Sequence, residues 1–298
     1  MYVINYIEEG KLGGPQIYVL RLSAALHGDV EIDIILPKDD SGLFIEQCKK
    51  NKLNCNTMPI TKLTKNIYAL VRYVYNFVFE INDAVRYFKK VDCDIVYVCG
   101  GSWQYKGVIA AKIAGVKLIW HLNDTSMPFF IRFIFRLLSN LADGYIFASE
   151  RSKSYYKPYL NTLKPGFVIP APVDVSMFNP ENSYNLEPSS DSDIDLINSL
   201  RGKTIIGMVA NISPVKGFEM FVHVVNEVNK IVDNVVFIVI GEIYSSQQSY
   251  YNKICDLYND LAIDNIKYIG SRGDVRVLLK EFHIYICTSR FESSPIAV

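Results

Sequence analysis

Two runs of alternating strand-like and helix-like segments, separated by one proline-punctuated stretch, constrain this chain more than any other feature. In the first run, short apolar segments at 2–7, 31–36, 94–99, 117–121, 143–149 and 166–169 have the length and bounds of buried strands. Helix-spaced apolar residues lie between them: Ile17, Leu20, Ala24 and Leu26, then 42–51, 67–88, 108–114 and 127–141. Residues 170–203 break the rhythm with Pro170, Pro172, Pro180 and Pro188 and a polar Ser189-Ser190-Asp191-Ser192-Asp193 run, which reads as a linker. The alternation then restarts, with strands expected at 204–210, 235–240, 266–269 and 284–287 and helices at 218–231, 250–261 and 275–280. Such alternation requires parallel sheets with crossover helices, so the expected fold class is α/β, with two Rossmann-like domains facing across a cleft. The expected domains are 1–172 and 173–298.

With 298 residues the chain is long enough for two cores. Net charge is zero, but residues 1–174 carry 21 Lys/Arg against 16 Asp/Glu and residues 175–298 carry 10 against 15. A basic first half suits an anionic surface or substrate, while the absence of a compact Lys/Arg cluster argues against nucleic acid. The six cysteines form no Cys-x-x-Cys pair and no His stands at metal-ligand spacing, so no metal site is expected. Cys93, Cys99 and Cys287 read as small core residues and the compartment as reducing and cytoplasmic. The opening residues lack the basic start and apolar stretch of a signal peptide. Nothing reaches the ~18 uninterrupted apolar residues of a membrane span.

Two helices carry further expectations. Ile67, Leu70, Val71, Val74, Val78, Ile81, Val85 and Phe88 should line the core-facing side of one long helix. Segment 127–141 is apolar nearly all round, with Arg132 and Arg136 on one stripe. Burial against the sheet is the expected placement. The alternative is a helix lying on an anionic membrane with its arginines at headgroup level.

Chemistry-bearing residues gather at the carboxyl ends of the expected strands, where open α/β sheets bind ligands. Gly13-Gly14-Pro15 joins the first strand to the first helix, with Pro15 suited to a first helical turn. His121 ends a strand, with Asp124 three residues on. Ser213-Pro214-Val215-Lys216-Gly217 follows the first strand of the second run, and Ser289-Arg290-Phe291-Glu292 follows its last. An ammonium such as Lys216 suits phosphate oxygens, Gly217 leaves the backbone beside it uncrowded, and Glu292 can accept from two sugar hydroxyls. That combination describes a nucleotide-sugar site. Neither a Walker loop nor Gly-x-Gly-x-x-Gly occurs, which disfavours NTPase and dehydrogenase readings.

The chain resembles the retaining glycosyltransferases of family four, with the two-domain GT-B fold. The resemblance rests on Gly13-Gly14-Pro15-Gln16, Trp120-His121-Leu122-Asn123-Asp124, Ala142-Asp143 with Ser149-Glu150, and Ile169 to Phe178. Its most specific parts are Ala210-Asn211-Ile212-Ser213-Pro214-Val215-Lys216-Gly217 and the start of a Glu-seven-residues-Glu motif at Glu292. It implies that Gly13, Gly14, Asn211, Lys216 and Gly217 hold the donor diphosphate, and that His121 and Glu292 act on the transferred sugar. Asn211 stands where the family usually has arginine, so more of the diphosphate binding should fall to Lys216. The motif's second Glu would fall at position 300, so an incomplete second domain, truncated at its C-terminus, is expected.

The implied reaction is metal-independent transfer of a hexose from a UDP-, GDP- or ADP-sugar to a glycan or lipid-linked acceptor, with retention and domain closure. No cofactor beyond the donor substrate is implied. The setting would be cytoplasmic, with peripheral contact to the inner face of an anionic membrane. The alternatives are a non-catalytic remnant or binding protein of the same fold and a nucleotide-sugar epimerase.

Overall fold

The computed structural model describes residues 1–64, 66–161, 163–179, 188, 190–272 and 274–293. The chain divides into two compact units, Met1–Pro172 and Val173–Glu292.

The first unit is built on seven parallel strands: β1 (Tyr2–Tyr6), β2 (Glu31–Pro37), β3 (Asn54–Met58), β4 (Ile95–Cys99), β5 (Lys117–Leu122), β6 (Gly144–Phe147) and β7 (Gly166–Val168). Their order across the sheet is β3-β2-β1-β4-β5-β6-β7. The reversal at β1 and β4 is the topological switch point, which leaves a crevice at the strands' carboxyl ends. β3 escaped the sequence reading because Asn-Cys-Asn-Thr-Met is polar and half exposed, as an edge strand can be.

Strand alternation sorts side chains to two cores. Ile4, Tyr6, Val96, Val98, Leu118 and Trp120 pack on the face covered by α3 (Ile67–Val91), α4 (Tyr105–Ala114) and α5 (Phe129–Leu138). Ile7, Ile34, Leu36, Tyr97 and Cys99 meet α1 (Gly14–Ala25) and α2 (Gly42–Lys50) on the other. A last helix of this unit, α6 (Glu150–Tyr156), starts at a reciprocal Ser149–Ser152 capping box.

Two helices depart from expectation. Helix α3 buries Tyr73, Ile81, Ala84 and Phe88, but not most of the expected stripe. Ile67, Val71, Val74 and Val78 are each more than 60 % exposed. The cause is the helix's orientation: the stripe packed into the core runs through Tyr73, Phe77, Ile81, Ala84 and Phe88, turned to one side of the expected stripe and sharing only Ile81 and Phe88 with it. Helix α5 buries only Ile131 and Phe135, the latter against Trp120 at a 5.0 Å centroid separation. Phe129, Phe130, Phe133 and Leu137 are exposed, so the expected burial of this segment is corrected.

The second unit holds four parallel strands, β8 (Thr204–Val209), β9 (Val235–Ile240), β10 (Ile266–Tyr268) and β11 (Ile284–Tyr285), in the order β10-β9-β8-β11. Helices α8 (Phe218–Asn229) and α9 (Gln248–Asp260) cover one face with Phe218, Phe221, Val225 and Ile254. On the other face α7 (Asp191–Leu200) and α10 (Arg276–Leu279) contribute Leu200 and Leu278. α7 lies within the stretch read as linker. Its Ser-Asp-Ser-Asp run is a helix start: the Ser190 hydroxyl accepts from the Asp193 N–H, and Asp191 and Asp193 face the positive end of the helix. β11 is an edge strand of two residues among the described residues, shorter than expected. Cys287 lies beyond it and is exposed, not a core residue.

Candidate functional site

Strand β8 and strand β11 are hydrogen-bonded neighbours at the switch point of the second sheet, so the loops leaving them meet. Lys216 lies on the first loop and Glu292 on the second, and their ammonium and carboxylate form an ion pair. Both are partly buried, at 30 % and 22 % exposure. Backbone contacts lock the loops together. The Arg290 N–H donates to the Val215 carbonyl at 2.8 Å and the Thr288 hydroxyl to the Lys216 carbonyl at 3.0 Å. Gly217 takes a left-handed conformation (φ 66°), and a Cβ there would sit 2.2 Å from the Thr288 carbonyl oxygen. Only glycine meets both conditions.

Gly217 is also the N-cap of α8, and no side chain caps that helix. A partial positive charge therefore stands beside Lys216. Asn211, at the end of β8, is engaged by the neighbouring loop instead. Its carbonyl accepts from the Glu242 N–H at 2.8 Å, and its amide donates to the Tyr244 hydroxyl at 3.0 Å. This leaves one amide N–H for a ligand.

In the first unit, Gly13 is extended (φ −154°) and N-caps α1, while Gly14 is its first residue. Neither glycine is required by positive φ. A Cβ at Gly14 would meet nothing within 4 Å, so its contribution is open backbone. α1 carries no capping side chain and no acid in its first turn. Its opening N–H groups are therefore compatible with an anion.

His121, on β5, is fully buried on the α1 face beside Tyr97 and Cys99. The Tyr97 hydroxyl lies 2.6 Å from Nδ1 and the Tyr18 ring 4.4 Å from the imidazole centroid. Burial pushes its pKa down to about 3, so the ring is neutral at physiological pH. When Tyr97 donates to Nδ1, the ring proton sits on Nε2, which is buried without a partner among the described residues. Asp124 turns back to accept from the Ser102 N–H at 3.3 Å and the Ser102 hydroxyl at 2.9 Å, and from Tyr156. Burial raises its pKa to about 6.

Glu8, directly after β1, was not singled out from the sequence. One carboxylate oxygen accepts from the Lys106 N–H at 2.7 Å, at the start of α4, and the other is buried without a partner among the described residues. Burial pushes its pKa up to about 7. The available signal was an acidic pair, Glu8-Glu9, at the carboxyl end of the first strand. Lys106, also missed, is fully buried and ion-paired to Glu80 under the Tyr73 ring. No group of three or more His, Cys, Asp or Glu among the described residues could hold a metal ion.

The model for Glycosyltransferase Family 4 matches residues 12–177, and that for Glycosyl transferases group 1 matches residues 192–298. The chain belongs to glycosyltransferase family 4. HepE from Anabaena, solved with UDP-glucose, is 19 % identical with a TM-score of 0.76, over 97 % of this chain and 74 % of that one. A glycosyltransferase from Rickettsia africae is 17 % identical (TM-score 0.73), over 97 % and 73 % of the two chains. Sucrose-phosphate synthase from Thermosynechococcus elongatus is 13 % identical (TM-score 0.72), over 99 % and 77 %. These likenesses establish a shared GT-B fold. Comparison with curated proteins finds no match. Within this family-4 chain, the Lys216 and Glu292 loops lie in the part matched by the group 1 model, and the Gly13-Gly14 loop and His121 in the part matched by the family 4 model.

Proposed function

We propose that this family-4 glycosyltransferase moves a hexose from a nucleoside diphosphate sugar to a glycan or lipid-linked acceptor, with retention at the anomeric carbon. The observation that carries the reading is the meeting of Lys216, Gly217 and Glu292 at one switch point, on loops locked to each other by backbone contacts. A cation beside an uncapped helix start suits a diphosphate, and a carboxylate next to it suits sugar hydroxyls. The UDP and UDP-glucose bound by HepE are of that class.

Lys216, with the N-terminal end of α8 and the Gly13-Gly14 helix start, is assigned to the leaving diphosphate. Charge develops there as the glycosidic bond breaks, and fixed donors stabilise it without reorganising. Glu292 is assigned to orienting the transferred sugar. His121, neutral with Nε2 as donor, is assigned to one of that sugar's hydroxyls, for which the Tyr18 side chain covering the ring must shift. Front-face substitution asks for no enzyme nucleophile, and none is assigned. Asn211 contributes at most one N–H. The reaction needs neither a metal nor a cofactor in this reading.

A peripheral contact with an anionic membrane, suited to a lipid-linked acceptor at a cytoplasmic membrane face, is part of the proposal. Phe129, Phe130, Phe133 and Leu137 stand exposed on α5 beside Arg136, the pattern of an interfacial helix. No helix of the described residues is long and apolar enough to cross a membrane.

Incubation with UDP-, GDP- and ADP-hexoses and glycan or lipid-linked acceptors tests the reaction. Transfer with the donor's anomeric configuration preserved in the product is the expected result. Recovery of an epimerised donor instead would establish the epimerase reading.

A further inference from the structure

We infer that Arg290 is a second diphosphate-binding cation of the donor site, standing in for the positive charge that Asn211 lacks; this rests on the donor-site reading above. The diphosphate of a nucleotide sugar brings about two negative charges to one small volume, and a single ammonium leaves much of that charge without a partner. Asn211 is neutral, and its contacts to Glu242 and Tyr244 leave it at most one N–H for a phosphate oxygen.

Arg290 is placed to supply the missing charge. Its backbone N–H donates to the Val215 carbonyl at 2.8 Å, which anchors it beside the residue preceding Lys216. Its side chain then runs over Gly217, with Cγ 3.5 Å from where a Cβ would stand, and its guanidinium reaches the first turn of α8. There Nη2 lies 3.2 Å from Glu219 Oε2. Glu219 is itself held by the Tyr250 hydroxyl at 2.7 Å. The guanidinium is 55 % exposed and makes this one ion pair among the described residues, leaving further N–H donors for phosphate oxygens. Gly217 keeps the path between Arg290 and the helix start open, and Lys216 immediately precedes it in the chain. Glu219 acts as a placeholder for the guanidinium, holding it at the helix N-terminus.

The test is calorimetric titration of the intact protein with UDP, GDP and ADP, followed by variants measured with the tightest of these and with its nucleoside. Arg290→Gln is expected to weaken the diphosphate about tenfold or more and to leave the nucleoside unchanged, with Arg290→Lys in between. Glu219→Gln breaks the same ion pair but releases the guanidinium, so diphosphate affinity should hold or rise. Three results overturn the inference: unchanged diphosphate affinity in Arg290→Gln, an equal loss for diphosphate and nucleoside, or a loss in Glu219→Gln matching that in Arg290→Gln. Failure of the unmodified protein to bind any of the three diphosphates overturns the donor-site reading, and this inference with it.

Discussion

The ammonium of Lys216 and the carboxylate of Glu292 are paired with each other across two neighbouring strand ends, 76 positions apart in the chain. In the proposed donor site, a donor has to share or displace this contact before either group can act on it. Because both side chains retain some exposure, the pair contributes on the order of 1 kcal/mol or less to stability.

Replacing either partner should accordingly separate function from folding. Lys216→Ala and Glu292→Ala are expected to keep the thermal midpoint within a few degrees while lowering donor turnover about 100-fold or more. The charge-swapped double variant Lys216→Glu/Glu292→Lys rebuilds an ion pair and should remain inactive. Activity in the swapped protein would show that the pair serves the fold alone.

Gly217 is under two independent constraints, a left-handed backbone and a Thr288 carbonyl where a side chain would begin. Gly217→Ala should destabilise the second unit by roughly 1–3 kcal/mol. Because the Lys216 loop moves with it, nucleoside diphosphate affinity should fall as well. Urea denaturation alongside calorimetry checks both; an unchanged midpoint contradicts the assigned geometry.

His121 makes stability depend on pH. In the unfolded chain it takes up a proton near its usual 6.5, which the buried ring refuses until about pH 3. Protons thus favour the unfolded state within that window, and stability falls as pH drops through it. Relative to His121→Gln, the unmodified protein should lose about 1.4 kcal/mol per pH unit below pH 6 and show a flat difference above pH 7.5. Denaturant midpoints across that range measure it, and a flat difference throughout would mean the ring is not held neutral.

The exposed phenylalanines of α5 should act at a membrane surface. Sedimentation with anionic vesicles at low salt is expected for the unmodified protein and should be lost in Phe130→Glu/Phe133→Glu, with donor binding retained. Equal sedimentation of the two proteins would remove α5 from any such contact.

Much of this was legible in the residue pattern. Apolar runs such as 235–240 and the helix-spaced residues of α8 mark their own secondary structure, since burial on a parallel sheet demands continuous apolar strands. Lys216-Gly217 and Glu292 stood out because open α/β sheets bind ligands at the carboxyl ends of their strands. α7 was misread because its start signal, Ser190 with two aspartates, looks like a polar linker until the cap is formed. β3 was missed because an edge strand needs no apolar face.

By itself the sequence determined most of the strand and helix alternation and the residue types available at each strand end. Only the tertiary structure decided which strand ends are neighbours, and hence that Lys216 meets Glu292 and Arg290 reaches α8. It also decided that Asn211 is tied to the next loop, and that the stripes of α3 and α5 are largely exposed. The physical reason is that periodicity reports a residue's own helix or strand, whereas partnership depends on strand order and on which side of an apolar helix its neighbours cover. Neither quantity is written in local spacing.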